Sequence, residues 1–195
     1  MERQIEKQVD KQVDKQMEKQ RNIIIEKGRM EDLDELEKLY NELNDALAAG
    51  INYPGWLRGI YPVRENAEEG LEEGCLYVAR CDGKIAGTVI LSHKPEEGYH
   101  TVIWKSEDDY GRIGVVHTLA VHPEFRGWGI GKALMDFSIR HCKEAGLESI
   151  RLDVYEKNEP AIGLYESSGF EYIATVDLGY GEYGLDWFKL YERLL

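Results

Sequence analysis

Cysteine is scarce: Cys75, Cys81 and Cys142 are the three in 195 residues, and none form a C-x-x-C pair or a metal-ligand spacing. That argues against a disulfide framework or a thiolate metal centre and suits a chain kept in a reducing compartment. Positive charge is also short, with 24 Lys and Arg against 37 Asp and Glu and a formal net charge of −13. Phosphate binding needs a basic face, so no nucleic-acid partner is expected; an acidic surface attracts cationic small molecules or basic segments instead. No apolar run reaches the ~18 residues of a membrane span, and no basic-then-apolar leader opens the chain. A soluble, cytoplasmic protein with no metal and no membrane partner is expected. With 43% hydrophobic and 31% charged residues, the composition is that of an ordinary globular domain.

Residues 1–22 stand apart as a tetrapeptide repeat, running from Glu6-Lys7-Gln8-Val9 to Glu18-Lys19-Gln20. Ile5, Val9, Val13 and Met17 recur every fourth residue, which on a helix makes one slanting apolar stripe. A helical or frayed extension is expected there, with a homodimer or partner-helix role as the alternative. A single domain is expected over residues 23–195.

Within that domain the periodicity alternates between strand and helix. Ile23 to Ile25 begins a strand. Asp32 with Glu35 resembles a capping box, and Leu33, Leu36, Tyr40, Leu43 and Leu47 then follow helical spacing to Gly50. An aromatic loop carries Trp56 and Tyr61, and a short acidic helix ends near Glu73. Cys75 to Arg80 and Ile85 to Ser92 flank Asp82-Gly83-Lys84, a hairpin signal. Residues 93–111 read as a polar loop around Trp104. Ile113 to Val121 is almost continuously apolar, as in a strand covered on both faces. A helix from Ile130, an alternating strand at Ile150, Leu152 and Val154, a helix from Asn158 to Ser168 and two closing strands complete the chain. Strand, helix, strand implies a parallel pair joined by a crossover. The fold class is therefore α/β, with a mixed, mostly antiparallel sheet and flanking helices.

The most informative stretch is Val121-His122-Pro123-Glu124-Phe125-Arg126-Gly127-Trp128-Gly129-Ile130-Gly131-Lys132. A buried strand ends and a helix opens on alternating glycines, so backbone N–H groups and the helix dipole can form an anion cradle rimmed by Arg126 and Lys132, the alternative being a plain tight strand-to-helix turn. Counting excludes two familiar phosphate motifs: G-x-G-x-x-G needs glycine at Lys132, and a P-loop needs glycine at Arg126 and Ser or Thr at Ala133. Further on, Asn158-Glu159-Pro160 is a helix start with an Asn cap, and Tyr165 lies two turns later on the same face.

Arg126-Gly127-Trp128-Gly129-Ile130-Gly131 resembles the R/Q-x-x-G-x-G/A loop of the GNAT superfamily of N-acetyltransferases. Asn158-Glu159-Pro160-Ala161, Leu164-Tyr165-Glu166 and Gly169-Phe170 resemble that family's next motif. His117-Thr118-Leu119-Ala120-Val121-His122-Pro123 is similar to the same segment of several small-amine acetyltransferases. The resemblance implies a GNAT-like fold with two splayed parallel strands and acetyl-CoA as co-substrate. It implies that backbone groups at Leu119, Ala120 and Val121 pair with the pantetheine arm. Gly127 to Lys132 would hold the diphosphate, and the Asn158 side chain would bind the arm. It implies direct acetyl transfer to a primary amine of a small molecule or protein, with Tyr165 protonating the leaving thiolate. His117 is the first candidate for the base; a packed histidine bonded to the backbone is its alternative. Trp56, Tyr61, Trp104, Tyr180 and Tyr183 are candidate walls of the acceptor pocket, or else hydrophobic plugs under loops. The runs Glu107-Asp108-Asp109 and Glu65, Glu68 and Glu69 read as solvated faces. The competing function is a CoA-binding regulatory module without turnover; the acyl-chain length stays open.

Overall fold

Asp82 and Gly83 both take positive φ, 51° and 80°, and close β2 (Leu76–Cys81) onto β3 (Lys84–Ser92) through a two-residue turn whose twist matches that of the strands. In this computed structural model, which describes residues 22–195, the hairpin forms the second and third strands of a seven-stranded sheet. The N-terminal repeat and what was expected of it lie outside the described residues. β1 (Ile23–Lys27) pairs with β2, and β4 (Ile113–Val121) with β3, both antiparallel. β5 (Ser149–Tyr155) runs parallel to β4. β7 (Phe188–Leu194) inserts between β5 and β6 (Glu171–Val176), giving the order β1-β2-β3-β4-β5-β7-β6. The sheet is thus mixed, with one parallel pair.

Among the described residues four α-helices cover it. α1 (Leu33–Ala49) and α2 (Arg64–Glu72) bury Leu36, Leu39, Tyr40 and Ala67 against Leu76, Val78, Ile85 and Ile90. On the opposite face, α3 (Ile130–Glu144) and α4 (Glu159–Ser167) pack Leu134, Met135 and Tyr165 against Ala79, Val89, Val116 and Leu152. Gly114 in β4 admits the Sγ of Cys142, which lies 2.8 Å from where a Cβ would stand. Burial pushes that thiol up to about 11, so it packs as a hydrophobe. Among the described residues no helix is long and apolar enough to cross a membrane.

Two local expectations change. The Asp32–Glu35 capping box does not form, because a 3₁₀ turn at Met30–Asp32 starts the helix one turn earlier. Asp32 accepts from the Arg29 N–H at 3.0 Å and from Arg80 at 2.6 Å, while Glu35 accepts from the Ile85 N–H at 2.7 Å. A guanidinium and a strand-end donor are available in the fold that the local sequence does not announce. The second concerns the polar loop around Trp104, whose residues 93–112 fold over the sheet. It buries Tyr99 and Trp104 against Ile113, Val115 and Leu190.

Candidate active site

β4 and β5 stay paired only from Ile113–Ser149 to Val116–Leu152, although both continue further. From His117 to Val121 the β5-facing edge of β4 therefore has no strand partner, and the sheet opens there. A bulge sharpens the opening: Thr88 pairs with Ala120 but Ile90 with His117, so β4 carries one extra residue. Thr118, at φ 45°, absorbs it, a strained position for a β-branched side chain. A cavity of about 630 Å³ occupies the gap between the strand ends, the α1–α2 loop and the ends of α3 and α4.

At one end lies the glycine turn. Gly127 and Gly129 have φ of 79° and 80°, and Gly129 is the helix cap with no side chain bonded over it. Among the described residues no acceptor takes the N–H groups of Gly127, Gly129, Ile130, Gly131 or Lys132. Five donors are left facing outward at a helix start, the condition for anion binding. Arg126 and Gly131 line the adjoining cavity wall; the Lys132 ammonium pairs with Asp136. His122 holds the turn's entry. Its Nδ1 accepts from the Glu124 N–H at 3.2 Å, so its Nε2–H donates to Glu42 of α1 at 2.7 Å.

Tyr165 of α4 and Asn158, which caps that helix, both line the cavity, as their seven-residue spacing suggests. The Asn158 side-chain oxygen caps Ala161 at 3.4 Å, leaving its NH₂ group for another partner. Tyr165 is 7% exposed, and its hydroxyl has no hydrogen-bond partner among the described residues. Burial, then the Asp153 charge, pushes this phenol well above its usual range, so it is fully protonated at neutral pH.

The other end is aromatic and acidic. Buried Asn44 of α1 donates to the carbonyls of Tyr61 at 3.3 Å and Pro62 at 3.4 Å, which fixes the α1–α2 loop. Tyr61 thereby meets the bulge, with its hydroxyl 2.6 Å from the Thr118 hydroxyl, and packs edge-on to Trp56 at 5.4 Å. His117 donates from Nε2 to the Lys94 carbonyl at 3.0 Å, since a carbonyl can only accept. Its Nδ1 is then free of a proton in the neutral ring and stands 4.0 Å from the Glu96 carboxylate. Tyr180 points its hydroxyl at Glu96, 3.5 Å away. Burial, then Glu96 and Asp153, pushes Tyr180 up to about 12. Asp153 accepts from the Tyr99 hydroxyl at 2.9 Å; burial raises its carboxyl, and attraction to His117 only partly offsets this.

The structure brings Tyr165, His117, Leu119, Ala120, Val121, Arg126, Gly131, Asn158, Trp56, Tyr61, Tyr180 and Tyr183 to this one cavity. Gly127, Trp128, Gly129, Ile130 and Lys132 occupy the adjoining turn. Trp104 is the exception. It lies 9% exposed under the 93–112 segment, donates from Nε1 to the Tyr99 carbonyl at 2.8 Å and stacks on Arg151 at 4.2 Å. A buried guanidinium needs an aromatic floor more than the pocket needs another wall. Asp108 is exposed, as its acidic run suggested, and from there also accepts from Arg151 at 2.7 Å. Glu96 and Asp153 were not singled out from the sequence. Asp153 has the parity opposite to Ile150, Leu152 and Val154, which reads as an outward face until the 93–112 segment covers it.

The model of the acetyltransferase (GNAT) family matches residues 34–170. The mycothiol acetyltransferase of Propionibacterium freudenreichii subsp. shermanii is 34% identical over 154 residues, which is 78% of this chain and 44% of that protein. The N-alpha-acetyltransferase of Sulfurisphaera tokodaii is 30% identical over 153 residues, 78% of this chain and 82% of the relative. The structure of a GNAT-family acetyltransferase from Streptococcus agalactiae superposes with a TM-score of 0.71 at 21% identity, covering 89% of this chain and 95% of that one, which bears on fold alone. The chain spans less than half the length of the mycothiol acetyltransferases it matches. It belongs to the GNAT acetyltransferase family.

Proposed function

We propose that this chain transfers an acetyl group from acetyl-CoA to a primary amine by direct attack in a ternary complex. Acetyl-CoA is the co-substrate of the family. One observation carries the reading: five unclaimed N–H donors stand at one end of a cavity that also holds an unpartnered, protonated tyrosine hydroxyl. The residues fit the co-substrate by its chemistry. Gly127 to Lys132 supply donors for a diphosphate and Arg126 supplies charge. The free edge at Leu119 to Val121 suits the amides of a pantetheine arm by strand addition, and the Asn158 NH₂ group offers another donor.

The acceptor nitrogen arrives as an ammonium with a pKa near ~10.4. In this reading the bare Nδ1 of His117 takes its proton. Attack forms the C–N bond, and a backbone N–H at the Thr118–Leu119 bulge takes the developing oxyanion. The C–S bond then breaks as Tyr165 passes its proton to sulfur, and the proton lost by the new amide nitrogen restores the phenol. Of the two protons the nitrogen gives up, one ends on the CoA thiol and one in solvent. Trp56, Tyr61, Tyr180 and Tyr183 form the walls on the acceptor side.

Calorimetry with acetyl-CoA and thiol release across a panel of amines test the proposal. Binding together with amine-dependent thiol release is expected. A folded chain with no affinity for acetyl-CoA or CoA overturns it. Affinity without turnover for every amine instead supports the regulatory module.

A further inference from the structure

Glu96 and Asp153 both line the cavity, and among the described residues neither pairs with a lysine or arginine. Glu96 has only the Tyr180 hydroxyl at 3.5 Å and His117 at 4.0 Å; Asp153 has the Tyr99 hydroxyl on one oxygen. Other acids in the fold are matched: Asp32 and Glu26 meet Arg80, and Glu192 meets Arg151. Among the described residues Arg126 is the one lysine or arginine that lines the cavity, and it belongs to the glycine turn. Two carboxylates thus face one cavity, with His117, 4.0 Å from Glu96, as the ionisable base beside them. An arrangement that costs free energy in the empty protein is offset when a ligand brings the missing charge.

We infer that the acceptor is a dication, a small aliphatic diamine or polyamine whose second ammonium sits against Glu96 and Asp153 while the first faces the thioester. The aromatic surround suits such a ligand. Tyr180, edge-on to Phe188 at 5.6 Å, and the Trp56–Tyr61 pair offer π faces to an ammonium and its methylenes. A zwitterionic acceptor would bring a carboxylate to two others, with no cation to receive it. A monoamine would leave one carboxylate unmatched.

The inference rests on the acetyl-transfer reading and is tested so that the two can fail separately. Thiol release by the full chain at saturating acetyl-CoA is compared for diaminobutane, butylamine and ω-aminobutanoate, which differ only in the far group. The expected order of kcat/KM is diamine, monoamine, zwitterion, with the diamine ahead of butylamine by about tenfold or more, the effect of one charge-assisted hydrogen bond. Glu96→Gln is expected to shrink that ratio toward one, its acetyl-CoA affinity reporting that it is folded. Equal values for diamine and butylamine, or a preference for the zwitterion, overturn the dication while leaving acetyl transfer standing. If acetyl-CoA does not bind, the parent reading falls, and calorimetry of diaminobutane against the protein alone decides the inference: binding weakened by Glu96→Gln upholds it, and no binding overturns it.

Discussion

At Tyr165 and Asp153, burial acts on two ionisations in the same direction with opposite consequences. It holds the phenol protonated, ready to donate, and it penalises the carboxylate. Tyr165→Phe removes the donor without changing the cavity's shape. The expected result is an unchanged acetyl-CoA dissociation constant with kcat lowered by about 10²- to 10⁴-fold, the usual range for a general acid; an unchanged kcat dismisses Tyr165 as donor. Asp153 has its pKa raised on folding, so its contribution to stability is full below the ordinary carboxylate range and is lost as pH rises through the raised value. Asp153→Asn keeps an oxygen for Tyr99 and removes the charge. Melting curves are expected to show a higher Tm at pH 7 and no gain in acid, each kcal/mol corresponding to about 2–4 °C at this length, while amine turnover falls. A lower Tm at pH 7 contradicts this account.

Among the elements, the glycine turn and the parallel crossover were legible because both are local. Two φ values near +80° at Gly127 and Gly129 admit glycine and few other residues, and their alternation before an apolar helix stripe is visible in twelve consecutive residues. Gly129→Ala meets no neighbour within 4 Å, so its cost is backbone strain alone. A loss of about 1–2 kcal/mol in denaturant unfolding is expected, with weaker acetyl-CoA binding as the turn distorts. The capping box at Asp32 was misread for the complementary reason. Its oxygens go to Arg29 and to Arg80, and the second partner is 48 residues away.

The whole molecule turns on how the 93–112 segment is held over β5. Arg151 is 0% exposed, bonds Glu192 at 3.0 Å, Asp108 at 2.7 Å and Tyr110 at 3.0 Å, and rests on Trp104. Burial alone would raise Glu192, but the Ser106 hydroxyl, the Lys105 N–H and Arg151 outweigh it and hold the carboxyl below its usual range. The stability this contributes is present above the ordinary glutamate range and lost as pH falls through the lowered value. Arg151→Met should therefore destabilise by about 3–5 kcal/mol at neutral pH, as a buried charge left alone does. The loss should shrink in acid and in the double variant with Glu192→Gln. Denaturant midpoints measure this; equal destabilisation of single and double variants contradicts the coupling. The same segment supplies the Lys94 carbonyl to His117 and the Tyr99 hydroxyl to Asp153, so Arg151→Met should also raise the KM for the amine more than that for acetyl-CoA.

Periodicity, turn chemistry and the two motifs were enough to define a mixed sheet, its parallel pair and the end of the cavity built on the glycine turn. These depend on near neighbours, which the order of residues carries directly. The acidic end depended on the tertiary structure. Whether Asp153 faces water or a cavity, and whether Trp104 walls a pocket or supports a guanidinium, is decided where a polar segment folds across a strand more than forty residues further along. The strand's alternation states only that one face is polar, because the free energy of burying those groups comes from partners elsewhere in the chain.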